Sequence, residues 1–175
     1  AYGVFLPPLG MGWVDVFSEA SGTVLGKKFK GTAHLQKVVG VSPFGPFHWG
    51  RVVFKNHSVV SFFCLKTGKN SKTFFHKSIK FFDTQNNITI RLNSPKLEVS
   101  RIGDNWIIEG EEKNRYVKAV LEIYATNRYD MKGGGSQVYI QYAVIPKELT
   151  IKDENKTVTL SDLGEGVGTI EDAYW

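Results

Sequence analysis

Apolar and polar residues alternate one for one through most of this chain. Val117, Ala119, Leu121, Ile123 and Ala125 alternate with Lys118, Glu122 and Thr126. Ile88, Ile90 and Leu92 alternate with Thr89, Arg91 and Asn93, and Val138, Ile140, Tyr142 and Val144 with Tyr139, Gln141 and Ala143. A period of two sends every second side chain to one face, which is the geometry of a half-buried β-strand and not of an amphipathic helix. Clusters of Asn, Asp, Gly and Lys at 55–58, 67–70, 84–87, 102–105, 131–136 and 152–156 punctuate the pattern. Asn, Asp and Gly tolerate the left-handed backbone of hairpin turns. Strands recurring at a spacing of about ten residues predict an all-β sandwich or an up-and-down barrel, with few or no helices. The segment KGTAHLQKVVG, 30–40, fits one more strand, because its β-branched residues and flanking glycines disfavour a helical turn.

A long antiparallel meander must deal with its edges, and closure into a barrel removes them. A hydrophobic fraction of 42% is enough for a sizeable core, so disorder is excluded as the default. The 175 residues suit one domain, with two small ones as the alternative, and no shift in composition marks a boundary. Residues 1–12, with Pro7, Pro8 and three glycines, are expected as an irregular N-terminal segment, and 13–175 as a single barrel domain. The chain lacks an initiator Met, so a processed chain or a fragment of a longer protein is expected.

The net charge of +5 is a mild excess, and the basic residues alternate along strands as on a solvated sheet face. No nucleic-acid motif accompanies it, so no nucleic-acid partner is expected. No stretch reaches the ~20 apolar residues of a membrane span. A single cysteine, Cys64, in an apolar run, excludes an internal disulfide. It fits a buried thiol and, with no signal peptide in view, a cytoplasmic location. His34, His48, His57 and His76 lie at no metal-binding spacing, so neither metal nor cofactor is expected. The glycine run at 133–135 precedes a strand and not a helix, which argues against a phosphate cradle.

Two stretches remain as candidates for chemistry. In PFGPFHWGR, 43–51, Phe44, Phe47 and Trp49 can line a pocket in which His48 or Arg51 supplies the polar anchor. At the C-terminus Glu165, Glu171 and Asp172 are carboxylates among apolar residues. Glu171 is the one expected to turn inward and serve as a general acid if burial raises its pKa.

Three runs carry a resemblance: GTAHLQKVVG at 31–40, PFHWGRVVFKNHSVVSFF at 46–63 and GTIEDAYW at 168–175. Together they resemble the lipocalin-like group that includes AttH and the carotenoid 1,2-hydratases (hydroxyneurosporene synthases). That group has a strand of the form G-x-A-W-M-D-H-x-W-G, a W-x-W strand, a D-G hairpin and a terminal strand with a glutamate. The resemblance implies a lipocalin- or calycin-like barrel, in a group whose members hold two in succession. Here it matches the later part of a full-length member. It places His34 at a family tryptophan, Phe47 and Trp49 on the W-x-W strand, Asn56-His57 at the D-G turn and Glu171 on the glutamate. The family's Asp-His pair falls on Gln36 and Lys37, and glutamine cannot donate or accept a proton as an acid does.

The expected function is therefore the binding of a small apolar or amphipathic molecule, isoprenoid- or lipid-like, by Phe47, His48, Trp49, Arg51, His34, Trp106 and Tyr124. The reading leans away from an enzyme. If the chain is one, an isoprenoid hydratase, cyclase or isomerase, its acid would be Glu171, Asp15 or Asp172, with Gln36 and Lys37 at the family position. A non-catalytic domain, or a homodimer that supplies the second barrel, is the remaining reading.

Overall fold

The computed structural model describes residues 2–6, 11–40, 45–68, 71, 73–83, 85–93, 96–132, 136–154 and 156–174. They fall into two compact units, 1–44 and 45–175. The all-β, antiparallel expectation holds in both, and the one exception among the described residues is a single helical turn.

The first unit is a three-stranded sheet of β1 (Tyr2–Leu6), β2 (Met11–Val24) and β3 (Lys27–Gly40), in that spatial order. This corrects the expected irregular entry: residues 2–6 form a strand that pairs with 11–15 of β2. It also corrects the single domain over 13–175, since β2 and β3 pair with each other along their whole length and belong to this unit. The boundary was invisible because both units are alternating strands of similar composition. Gly40 ends β3, and Phe44 lies outside the described residues.

The second unit contains β4 (Phe47–Phe54), β5 (Val59–Lys66), β6 (Phe74–Asp83), β7 (Ile88–Leu92), β8 (Glu98–Ile102), β9 (Asn105–Glu112), β10 (Arg115–Lys132), β11 (Ser136–Asp153), β12 (Lys156–Thr159), α1 (Leu160–Leu163) and β13 (Gly166–Tyr174). Its sheet runs β7-β6-β5-β4-β13-β11-β10-β9-β8, with β12 on β11. The sheet curls until β7 meets β9. There the Leu92 side chain lies where a Cβ on Gly110 would be 3.6 Å away, and the Asn93 N–H donates to Glu112 Oε2 at 3.2 Å. Side chains thus close the barrel at this seam, where no ladder joins β7 to β8 or β9 among the described residues.

The interior is apolar. Val52, Phe54, Val60, Phe62, Ile79, Phe81, Ile90, Leu92, Ile108, Val117, Leu121, Val144, Ile151 and Ile170 form one core cluster. Each fully buried Leu, Ile or Phe contributes about 1.5–3 kcal/mol. Cys64 belongs to this core, and burial pushes its thiol up to about 12, against the pull of Lys77, Lys66 and the Ser78 backbone. A protonated, inaccessible thiol is inert. Ellman's reagent is expected to leave the native chain unmodified and to titrate Cys64 only after unfolding in guanidinium.

One end of the barrel is closed by α1. The Lys55 N–H donates to the Glu165 carbonyl at 2.8 Å, which ties this turn to the β4–β5 hairpin, and Leu163 is buried. The β6–β7 turn is held by Asp83, whose carboxylate accepts from the Gln85 N–H, the Asn86 N–H and the Asn86 side-chain amide. Burial alone would raise the Asp83 pKa, but these hydrogen bonds and Lys156 outweigh it and hold the carboxyl below its ordinary value. A depressed folded pKa contributes stability above the unfolded pKa of about 4, lost as pH falls through the folded value. Asp83→Ala is expected to cost about 1–3 kcal/mol at neutral pH. Urea melts should show that difference shrinking below about pH 4.

Among the described residues no helix is long and apolar enough to cross a membrane.

Candidate functional site

The end of the barrel away from α1 begins where β4 begins. Strand alternation puts His48, Gly50, Val52 and Phe54 on the core-facing side of β4, and Phe47, Trp49, Arg51 and Val53 on the other. From Phe54, at the closed end, to His48 is six residues, or about 20 Å of strand.

His48 stands directly across from Asp172 of β13 and from Cys64 of β5. Its Nδ1 lies 3.1 Å from Asp172 Oδ1, with 9% and 18% of the two side chains exposed. The contact is an ion pair when the imidazole is protonated, and neither buried atom makes a hydrogen bond with the described residues. Trp106, from β9, meets the His48 ring edge-on at 5.2 Å between centroids, and its buried Nε1 is likewise unpartnered. Phe74 flanks His48 at 6.3 Å, and Tyr142 meets Trp106 edge-on at 5.6 Å. Arg101, exposed on β8, donates to the Tyr142 hydroxyl at 3.1 Å and sets its guanidinium 4.9 Å from that ring's centre. Burial, with help from the Asp172 charge, raises the Tyr142 pKa against the opposing Arg101, so the phenol keeps its proton at neutral pH.

Three buried polar atoms without hydrogen bonds therefore share one aromatic-walled cluster. Each such atom costs about 1–3 kcal/mol relative to a satisfied one. Buried polar groups in folded proteins are nearly always paired, so three such atoms together single this cluster out. The cluster offers a donor at Trp106 Nε1, an acceptor at Asp172 Oδ1, and at His48 Nδ1 an atom whose role depends on the tautomer.

The residues expected to form one pocket are divided by this geometry. His48 and Trp106 come together. Phe47, Trp49 and Arg51 lie on the opposite face of β4, where Arg51 sits 5.6 Å over Trp49 and Phe47 packs 5.9 Å from Phe63. Tyr124 is 60% exposed beside a bulge in β10, outside the cluster. Glu171 does not turn inward: it stands opposite Trp49 and Gln141, hydrogen-bonds Tyr139 and raises that phenol's pKa along with burial. The inward carboxylate is its neighbour, Asp172. Gln36 and His34 lie in the first unit, where Asp15 accepts from Gln36 Nε2 at 3.0 Å and stands 2.9 Å from His34 Nε2. Lys37 is on the other face of that sheet and is exposed. Sequence reasoning missed Tyr142 and Arg101 as site residues; Tyr142 had been read as an ordinary core position of its strand.

No group of His, Cys, Asp or Glu among the described residues is arranged to hold a metal.

No family model matches the chain, and no curated protein matches it. Among solved structures, kievitone hydratase from Nectria haematococca is similar, at 15% identity and a TM-score of 0.47, over 94% of this chain and 56% of that one. This chain thus spans a little over half of that protein's length. A likeness at that level assigns no residue role and no substrate.

Proposed function

We propose that the 45–175 unit binds a small amphipathic molecule at the His48–Asp172–Trp106 cluster. The observation that carries this reading is the convergence of three buried polar atoms that make no hydrogen bond with the described residues. The ligand's polar group would pair with Asp172 Oδ1, His48 Nδ1 and Trp106 Nε1. Its apolar body would lie among Phe74, Trp106 and Tyr142, whose rings give contact area at low entropic cost. Arg101, exposed beside Tyr142, favours an anionic or strongly dipolar substituent. An isoprenoid- or lipid-like molecule with one polar end meets these requirements, and so does a compact aromatic one.

The reading is tested by titrating the chain with anilinonaphthalenesulfonate, an amphipathic aromatic anion, and following energy transfer from tryptophan. Saturable one-to-one binding that weakens about tenfold in Trp106→Phe is expected, since that change removes one donor from a buried hydrogen bond. Binding of equal strength in the variant would remove Trp106 from the site.

A second reading rests on the His48–Asp172 pair itself. A carboxylate and an imidazole 3.1 Å apart among aromatic rings form an acid–base couple, and a hydratase, cyclase or isomerase would take its proton from this pair and not from Glu171. It shares the same pocket, so the same titration bears on both.

A further inference from the structure

The β2–β3 hairpin of the first unit ends in a feature that its fold does not use. Leu25 and Gly26 form the two-residue turn, with φ of 49° and 79°. Positive φ at both central positions is the type I′ geometry, which Asn-Gly adopts readily and leucine does not. Leu25 is nevertheless placed there, and it is 98% exposed. Val24 beside it is 59% exposed and Phe29, two rungs back and lying over Gly22, is 45% exposed. Three apolar side chains thus stand in water at the end of a 14-residue hairpin arm, one of them in a backbone conformation that disfavours it.

The charges around them have one sign. Lys27, Lys28 and Lys30 are exposed, and no acidic residue occurs from 20 to 39. Pairing of Val24 with Lys27, Thr23 with Lys28 and Ser21 with Lys30 puts Lys27 on one face of the ribbon and Lys28 and Lys30 on the other. All three therefore lie within about 13 Å of the tip along the strands. An apolar point collared by cations matches an anionic bilayer surface, where apolar groups enter about 5–10 Å and lysines meet the phosphates.

We propose that this hairpin tip docks on anionic lipid membranes, with Leu25 and Val24 inserted at the level of the acyl boundary, Phe29 at the interface, and Lys27, Lys28 and Lys30 on lipid phosphates. This contact is peripheral and does not depend on the ligand site of the second unit.

The test is co-sedimentation of the full chain with vesicles of phosphatidylcholine alone and of phosphatidylcholine with one-third phosphatidylserine, at low and high salt. The chain is expected to pellet with the anionic vesicles and to be released by salt. Leu25→Asn supplies the residue that the turn prefers, so its urea midpoint is expected to equal or exceed that of the parent while vesicle affinity falls about tenfold. Lys28→Gln is expected to weaken binding about fivefold. A chain that stays in the supernatant with anionic vesicles, one that pellets equally with the neutral ones, or one whose binding survives Leu25→Asn unchanged would overturn the proposal. Capture by DNA or polyglutamate in place of vesicles would also overturn it.

Discussion

Gly168→Ala will cost this protein about 3 kcal/mol or more, a large share of the 5–15 kcal/mol that stabilises a typical domain. Gly168 lies in β13, opposite Val52 of β4 on one side and Val144 of β11 on the other. A Cβ there would strike the Arg51 carbonyl oxygen and come within 2.8 Å of Val52 Cγ2. The obstacle is backbone, which cannot rotate away, and β13 is hydrogen-bonded on both edges, so any shift breaks a ladder. Gly50→Ala makes the contrast. There the added carbon meets the Phe62 ring at 2.5 Å and Ile170 at 3.0 Å, side chains that can give way. A smaller loss of about 1–3 kcal/mol is expected. Urea unfolding of the two variants beside the parent checks both figures. A Gly168→Ala protein as stable as its parent would mean that β13 and β4 are not in this register, and the His48–Asp172 juxtaposition would fall with it.

The second large effect has the opposite sign in stability. The double variant His48→Phe/Asp172→Leu is expected to be more stable than the parent by about 1–4 kcal/mol, as when other buried polar or ionic pairs give way to apolar residues of similar volume. The cause is that two buried atoms now without hydrogen bonds are removed, while neighbouring Phe74, Trp106 and Cys64 accept apolar contact. The same variant should lose small-molecule binding. A gain in stability coupled to a loss of binding is what a site maintained for function at the fold's expense produces. A variant that loses stability by several kcal/mol would show instead that the pair is structural.

The strands were legible because one-for-one alternation is a local signal, and Val117, Ala119 and Leu121, or Ile90 and Leu92, are buried where that pattern puts them. The segment 30–40 is a strand as expected. The split between units had no such signal. His48 and Trp106 were picked out as aromatic and polar residues in apolar surroundings, but grouping His48 with Phe47, Trp49 and Arg51 ignored the same alternation that found the strands. Neighbours along a strand point to opposite faces. Choosing Glu171 over Asp172 is the same error in β13, where alternation puts Asp172 on the face of the buried Ile170 and Glu171 on the other. Tyr142 and Arg101 join the site through their positions in a curled sheet, which a linear pattern does not specify. The Leu25-Gly26 turn could have been found, since a leucine before glycine at the centre of a long alternating arm breaks the turn chemistry that hairpins follow.

The central claim, that the His48–Asp172–Trp106 cluster is completed by a small molecule, is tested most directly by native mass spectrometry of the parent and the His48→Phe/Asp172→Leu variant purified side by side. The account predicts a parent carrying a non-covalent adduct of small-molecule mass that organic extraction removes, and a variant that carries none. A bare parent chain, or the same adduct held equally by both proteins, would contradict it.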